Sequence, residues 1–440
     1  MRSRWPQASR FFSSVLPLRS SQSLVATLIN GVIAAVSGMF LSRFLSTVAQ
    51  ILIVRRLGPA LFGEYAALMV SLSLFTSLLG LGLDTWLLQE GGRDPENVSQ
   101  PMIQVLVLKA IAAAVLFSGV VALWSSRSLE GAEFLQGLRS ANGLALVIGA
   151  TGTIFESFAQ TGYSALRVRR RNTLVAVFQT INPLLLVVVL LVLSRASISV
   201  LLLMSMQATF SLMMAVVVLT RIWRQRRRGI ERPRLTLWPA IRQGWLFVVS
   251  EGLSNIYTQS GLAILGASAG TLVLGLFNPA LNLIRLSFLV PNLMFSVGLP
   301  LIMSPTVEAA EYRRVTRLML FGSIAYGLAA IVAIWLFGRL LIVTFYGADY
   351  AASLPYVRMM SLLPVLKACN FVWVAILLSN LRQRLRVIVQ GSVVLVCLFV
   401  GWMIIPAYGA QGAAWLYIGI EALLFVLYGS AAYFTARQRL

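Results

Sequence analysis

The chain has 440 residues, of which 58% are hydrophobic and only 11% charged, yet its formal net charge is +22. So little charge excludes an ordinary soluble domain, in which roughly 25% of residues are charged, and makes lipid the solvent. The positive charge would suggest nucleic acid in a soluble protein, but here it sits in short segments between apolar runs, so no nucleic-acid partner is expected.

The chain opens with "MRSRWPQASRFFSSVLPLRSSQS". Its apolar patch is broken by serines and by Arg19, and no small-residue cleavage site follows. Residues 1–26 therefore read as a basic cytoplasmic tail lying on the anionic inner leaflet rather than as a signal peptide. Apolar runs of about 20 residues, the length a helix needs to cross a hydrocarbon core, follow at 29–54, 63–88, 102–123, 142–165, 174–194, 198–220, 244–267, 275–303, 317–345, 356–380, 387–407 and 411–434. They predict an all-α membrane protein with twelve transmembrane helices, the eighth long enough to need the kink that Pro291 offers.

Between the first and second runs stands "RRLGPALFGEY", Arg55 to Tyr65. A partial copy, "SAGTLVLGLF", lies 212 residues further on, where Gly270 echoes Gly58, Gly275 echoes Gly63 and Phe277 echoes Tyr65. Six spans return a chain to its starting side, so two six-span units share one orientation and relate by an axis along the membrane normal. The expected units are an N-lobe at 27–220 and a C-lobe at 244–436, joined by a basic cytoplasmic linker at 221–243 and followed by a short tail at 437–440. With the N-terminus inside, inner segments carry 25 arginines and outer segments 6. That asymmetry places both termini in the cytoplasm by the positive-inside rule.

"FLSRFLSTVAQILIVRRLGPALFGEYAALMVSLSLFTSLLGLGL" and "FYGADYAASLPYVRMMSLLPVLKACN" resemble polysaccharide-type lipid flippases, the O-antigen and exopolysaccharide transporters of the multidrug/oligosaccharidyl-lipid/polysaccharide exporter superfamily. The resemblance implies two six-helix lobes facing each other around a central lumen and alternating between inward-open and outward-open states. An aspartate often found late in that family's seventh helix is absent from "TQSGLAILG", where Gln259 and Ser260 stand.

Ionisable groups deep in a span are costly unless they face protein or water, so each is a functional candidate. Arg43, Ser46 and Gln50 share a face of the first span; Thr153, Glu156, Gln160 and Tyr163 share one on the fourth. Glu251, Asn255 and Thr258 do so on the seventh, and Asn278, Asn282 and Arg285, with Asn292 two turns on, on the eighth. Lys367 is central to the tenth span, whereas Lys109 is nearer an end and is expected to snorkel. Arginine keeps its charge and presents a fork matched to phosphate oxygens. Arg43 and Arg285, one per lobe, together with Lys367, are thus the expected surroundings of a pyrophosphate; pairing with Glu156 or Glu251 is the competing role. Glu156, Glu251, Glu421 and Asp84 are candidates for H+ or Na+ coupling, because burial or a neighbouring cation would make each a proton carrier or a fixed counter-ion.

The leading function is transport of an undecaprenyl-pyrophosphate-linked oligosaccharide from the inner to the outer leaflet of the cell inner membrane. Its partners would be the lipid-linked oligosaccharide, membrane lipids, and the polymerase and glycosyltransferases of the same route. A cation-coupled multidrug exporter is the alternative, disfavoured by three basic groups at the centre. A membrane-embedded glycosyltransferase or ligase ranks last: the chain has no histidine, and the longest outer loop offers only Glu130, Glu133, Arg127 and Arg139. No catalytic residue, metal or cofactor is expected.

Overall fold

A computed structural model describes residues 21–80, 83–93, 98–125, 143–169, 171–193, 198–224, 238–303, 309–380 and 383–437, with side chains from residue 41 onward apart from 238–248 and scattered positions such as Glu251. Most of the N-terminal tail, the middle of the basic linker, Glu130, Glu133 and the last three residues lie outside the described residues. The described secondary structure is helical, with no strand. The helices are α1 (Ser21–Gly80), α2 (Leu83–Arg93), α3 (Ser99–Ser125), α4 (Gly143–Val168), α5 (Asn172–Val192), α6 (Val200–Arg224), α7 (Trp238–Ala269), α8 (Thr271–Leu286), α9 (Leu289–Met303), α10 (Ala309–Tyr346), α11 (Leu354–Met359), α12 (Leu363–Ser379) and α13 (Gln383–Arg437).

Two helices, α1 of 60 residues and α13 of 55, are each long enough for two predicted spans because each doubles back at a glycine of positive φ. In α1 the turn is Gly58 (φ 67°, ψ 172°), whose following Pro59 also bars the α conformation at residue 58. Ala49 and Met69 line one chamber, yet a straight helix would separate them by about 30 Å. In α13 the turn is Gly409 (φ 55°). There Cys397 touches Ser260 and Tyr417 reaches Thr258, again 20 residues apart on one element.

Eight stretches of the described residues are long and apolar enough to cross a membrane, the doubled-back helices counting once each, and the chain is a multi-pass membrane protein. The helices α4 and α7, which carry polar stripes, are not among them. Instead α4 is studded with small buried residues that let neighbours close in. A Cβ on Gly152 would stand 2.9 Å from the Ala208 backbone of α6, which explains the tight α4–α6 pairing. In the second half α7 and α12 pack on α13 and α10 packs on α12, while α1 joins the halves by meeting α7 and α8.

The duplicated turns face each other. Gly270 has nearly the backbone of Gly58 (φ 85°, ψ 166°). A Cβ on Gly63 would lie 1.9 Å from the Thr271 carbonyl oxygen, and one on Gly275 would lie 2.0 Å from the Pro59 carbonyl oxygen. Glycine at both positions is what permits this reciprocal backbone approach. The second family-like stretch seals the same end: Tyr350, fully buried, donates to Val54 O at 3.0 Å, and Ser353 Oγ donates to Leu276 O at 2.7 Å.

Candidate functional site

Two chambers adjoin among α1, α4, α5 and α6. One, of about 410 Å³, is lined by Gln50, Tyr65, Thr153 and Gln207 among others; the second, of about 350 Å³, is lined by Arg43, Gln160, Tyr163, Arg167 and Gln179. Ser46, Glu156, Asn182 and Pro183 line both, so the chambers meet at that level. The stripes expected on the first and fourth spans thus converge on these two joined chambers.

Glu156 stands at the junction. Its carboxylate accepts from Gln160 Nε2 at 2.9 Å and from Ser211 Oγ at 3.4 Å, and it pairs with no cation among the described residues. Beyond it Gln207 Nε2 donates to the Tyr65 hydroxyl at 2.8 Å. Pro183 cannot donate to the carbonyl four residues back, and that group, Gln179 O, accepts from Ser42 Oγ of α1 at 2.9 Å. The bend in α5 therefore leaves no orphan carbonyl.

The second half repeats this device. α8 stops at Leu286 and α9 resumes at Leu289, two residues ahead of Pro291. The carbonyl that proline frees, Ser287 O, accepts from the Tyr326 hydroxyl of α10 at 2.7 Å. Just before the break Arg285 Nη2 donates to Thr258 O at 3.1 Å and meets no carboxylate among the described residues. Thr258 O also accepts from the Tyr417 hydroxyl at 2.9 Å. Tyr417 thus reaches a backbone carbonyl of α7 from α13. Gly261 leaves room for its ring, which a Cβ would meet at 3.1 Å.

The amides of the eighth-span stripe do not share one environment. Asn278 is buried, Asn282 has a buried Nδ2 without a hydrogen-bond partner among the described residues, and Asn292, past the break, is exposed. Asn255 donates to Ser73 O at 2.7 Å and ties α7 to α1.

Four of the intramembrane charges are held in two largely buried pairs. Lys109 does not snorkel: it is 1% exposed, 2.7 Å from Asp84 Oδ2 and 2.9 Å from Ser157 O. Thr161 Oγ1 donates to the other Asp84 oxygen at 2.8 Å, so both oxygens of this carboxylate are engaged. Lys367, expected at a phosphate, lies 2.6 Å from Glu421 Oε1 and donates to the Tyr257 hydroxyl at 3.2 Å. Asn370 holds the other Glu421 oxygen at 2.7 Å. The side chain of Glu251 is outside the described residues.

Sequence reasoning missed Arg167, Gln179 and Asn182 as cavity residues. Arg167 was counted only as an orientation charge; the amides at i and i+3 just ahead of Pro183, in an otherwise apolar helix, were the available signal.

Among solved structures the chain is similar to a multidrug-resistance MATE family transporter of the MOP superfamily in an inward-facing conformation, at 16% identity over 92% of this chain and 98% of that one, with a TM-score of 0.68. It is similar to the lipid II flippase MurJ in an inward closed conformation, at 14% identity over 90% of this chain and 86% of that one, with a TM-score of 0.69. A MOP superfamily transporter from Pyrococcus furiosus, described as having a binding pocket of reverse polarity, matches at 15% identity over 93% of each chain, with a TM-score of 0.63. Identities this low speak for the fold, which is that of MOP transporters. No curated relative matches in sequence. The family described as "Polysaccharide biosynthesis protein" matches residues 28–305, more than half of the chain, and the protein belongs to that family.

Proposed function

We propose that this protein flips a lipid-linked oligosaccharide, carried on undecaprenyl pyrophosphate, from the inner to the outer leaflet of the cell inner membrane by alternating access, and that it is not an enzyme. In this reading the chain crosses twelve times with both termini cytoplasmic. Its lobes are 27–220 and 244–436, joined by the basic linker 221–243. The observation that carries the reading is the pair of guanidiniums at Arg43 and Arg285, one per half, without carboxylate partners among the described residues. Fixed positive charge inside a membrane protein suits an anionic cargo. Family membership and the likeness to a lipid II flippase support the same class. Lys367 drops out of the proposed phosphate set, because Glu421 already neutralises it.

Glu156 favours a second reading, a cation-coupled drug exporter, since it is a carboxylate without a cationic partner at a cavity junction. Under the flippase reading Glu156 is the proposed site of H+ or Na+ coupling, ahead of Asp84 and Glu421, which lysines occupy. Deleting the gene decides between the readings. Lipid-linked repeat units should accumulate on the inner leaflet while their synthesis continues; unchanged pools with increased drug sensitivity would establish the exporter instead.

Arg285 supplies a sharper test. In Arg285→Ala, Thr258 O keeps its Tyr417 donor, so the protein should remain inserted and folded while export falls at least tenfold. Arg285→Lys should restore part of it, supplying charge without the bidentate fork. Normal export from a stably expressed alanine variant would remove Arg285 from the cargo path.

A further inference from the structure

The chamber bearing Arg43 holds a second guanidinium. Arg167, in the last turn of α4, and Arg43, on α1, line the same 350 Å³ space, and neither pairs with a carboxylate among the described residues. Asp84, whose charge acts on the Arg167 guanidinium, is itself bound by Lys109 and Thr161. The remaining lining is rich in hydrogen-bonding groups from three helices, Gln160 on α4, Gln179 and Asn182 on α5, and Ser46 on α1. Two arginine forks and several amide donors lining one chamber form a recognition set for phosphate oxygens. The carboxylate in the same space, Glu156, has both oxygens engaged by Gln160 and Ser211 and supplies a like charge that any bound anion must meet.

We infer that this chamber in the first half of the chain is a binding site for a phosphate or pyrophosphate group, with Arg167 and Arg43 as its binding residues and Glu156 as a negative element that weakens the anion's hold. The lining comes from α1, α4 and α5, all in the first half of the chain, so this chamber adds Arg167 to the cargo path beside Arg43. The inference rests on the flippase reading for the identity of the molecule that bears the phosphate. The chemistry of the chamber is independent of the sugar.

The experiment uses the full chain in detergent, titrated calorimetrically with inorganic pyrophosphate at constant ionic strength. Binding is expected to weaken at least tenfold in Arg167→Gln, to recover partly in Arg167→Lys, and to tighten severalfold in Glu156→Gln. Arg339→Gln, which removes an exposed arginine elsewhere, should leave it unchanged. Thermal unfolding of each variant without pyrophosphate shows that the fold is retained. Loss of binding in Arg339→Gln equal to that in Arg167→Gln would reduce the effect to net charge and overturn the site. So would weaker binding in Glu156→Gln, which would make the chamber a cation site. Absence of pyrophosphate binding by the unmodified chain overturns this inference alone; the flippase reading falls separately, if the deletion leaves lipid-linked pools unchanged.

Discussion

Under the proposed flippase function, Gly275→Val will abolish polysaccharide export while leaving the protein in the membrane at near-normal levels. The Cβ it introduces would stand 2.0 Å from Pro59 O and 3.0 Å from the Gly63 backbone, so backbone must move, not a side chain. Overpacking of this kind costs about 1–3 kcal/mol. The cost falls only on the conformation in which the two turns touch, which shifts an equilibrium between conformations roughly 5–150-fold. Leu57, buried beneath the contact, should then become reachable: a cysteine placed there, with Cys369 and Cys397 replaced, should react roughly tenfold faster with a thiol reagent. Gly119→Val is the matched control, because a Cβ at Gly119 meets nothing within 4 Å. Normal export from Gly275→Val would mean that the transport cycle does not need this contact.

The second large effect is on stability. Asp84→Asn leaves the Lys109 ammonium buried without its counter-charge, and breaking such a pair from one side costs about 3–5 kcal/mol. The variant should show a markedly lower melting temperature in detergent and reduced levels in membranes. Adding Lys109→Met removes the stranded charge and should recover most of the loss. If the double variant also exports polysaccharide, Asp84 is a counter-ion and plays no part in ion coupling. If it folds but fails to export, Asp84 has a coupling role beyond the pair.

The sequence exposed those features that local chemistry decides. Gly58 and Gly270 were legible because positive φ next to a helix start demands glycine, and their matched spacing to Gly63 and Gly275 anticipated a shared backbone shape. The eighth-span kink was legible for the same kind of reason, since Pro291 cannot continue the ladder, although the break falls at Ser287–Phe288, before the proline. Charge pairing was not legible. Lys109 finds Asp84 across 25 positions, and Lys367 finds Glu421 across 54, so the partners depend on how helices dock rather than on local pattern. Arg167 was hidden by a rule that is correct on average: a basic residue near a loop counts toward orientation, and only the closeness of α1 and α5 to the end of α4 turns it toward a cavity.

The contact between the two glycine turns has the form of an isologous interface, in which residue i of one copy meets residue j of the other and j meets i, but it is made within one chain. In a homodimer every substitution would strike both sides at once. Here each copy can change alone, and the aromatic residue two positions past the second glycine shows that it has. Tyr65 keeps a hydroxyl, which Gln207 holds beside the polar chamber. Phe277 has none and is packed instead against the rings of Tyr356 and Tyr417, at 5.7 and 6.3 Å. Matching positions of the two turns thereby serve as a hydrogen-bonding wall in one half and an apolar wedge in the other, a division of labour closed to an assembly of identical subunits.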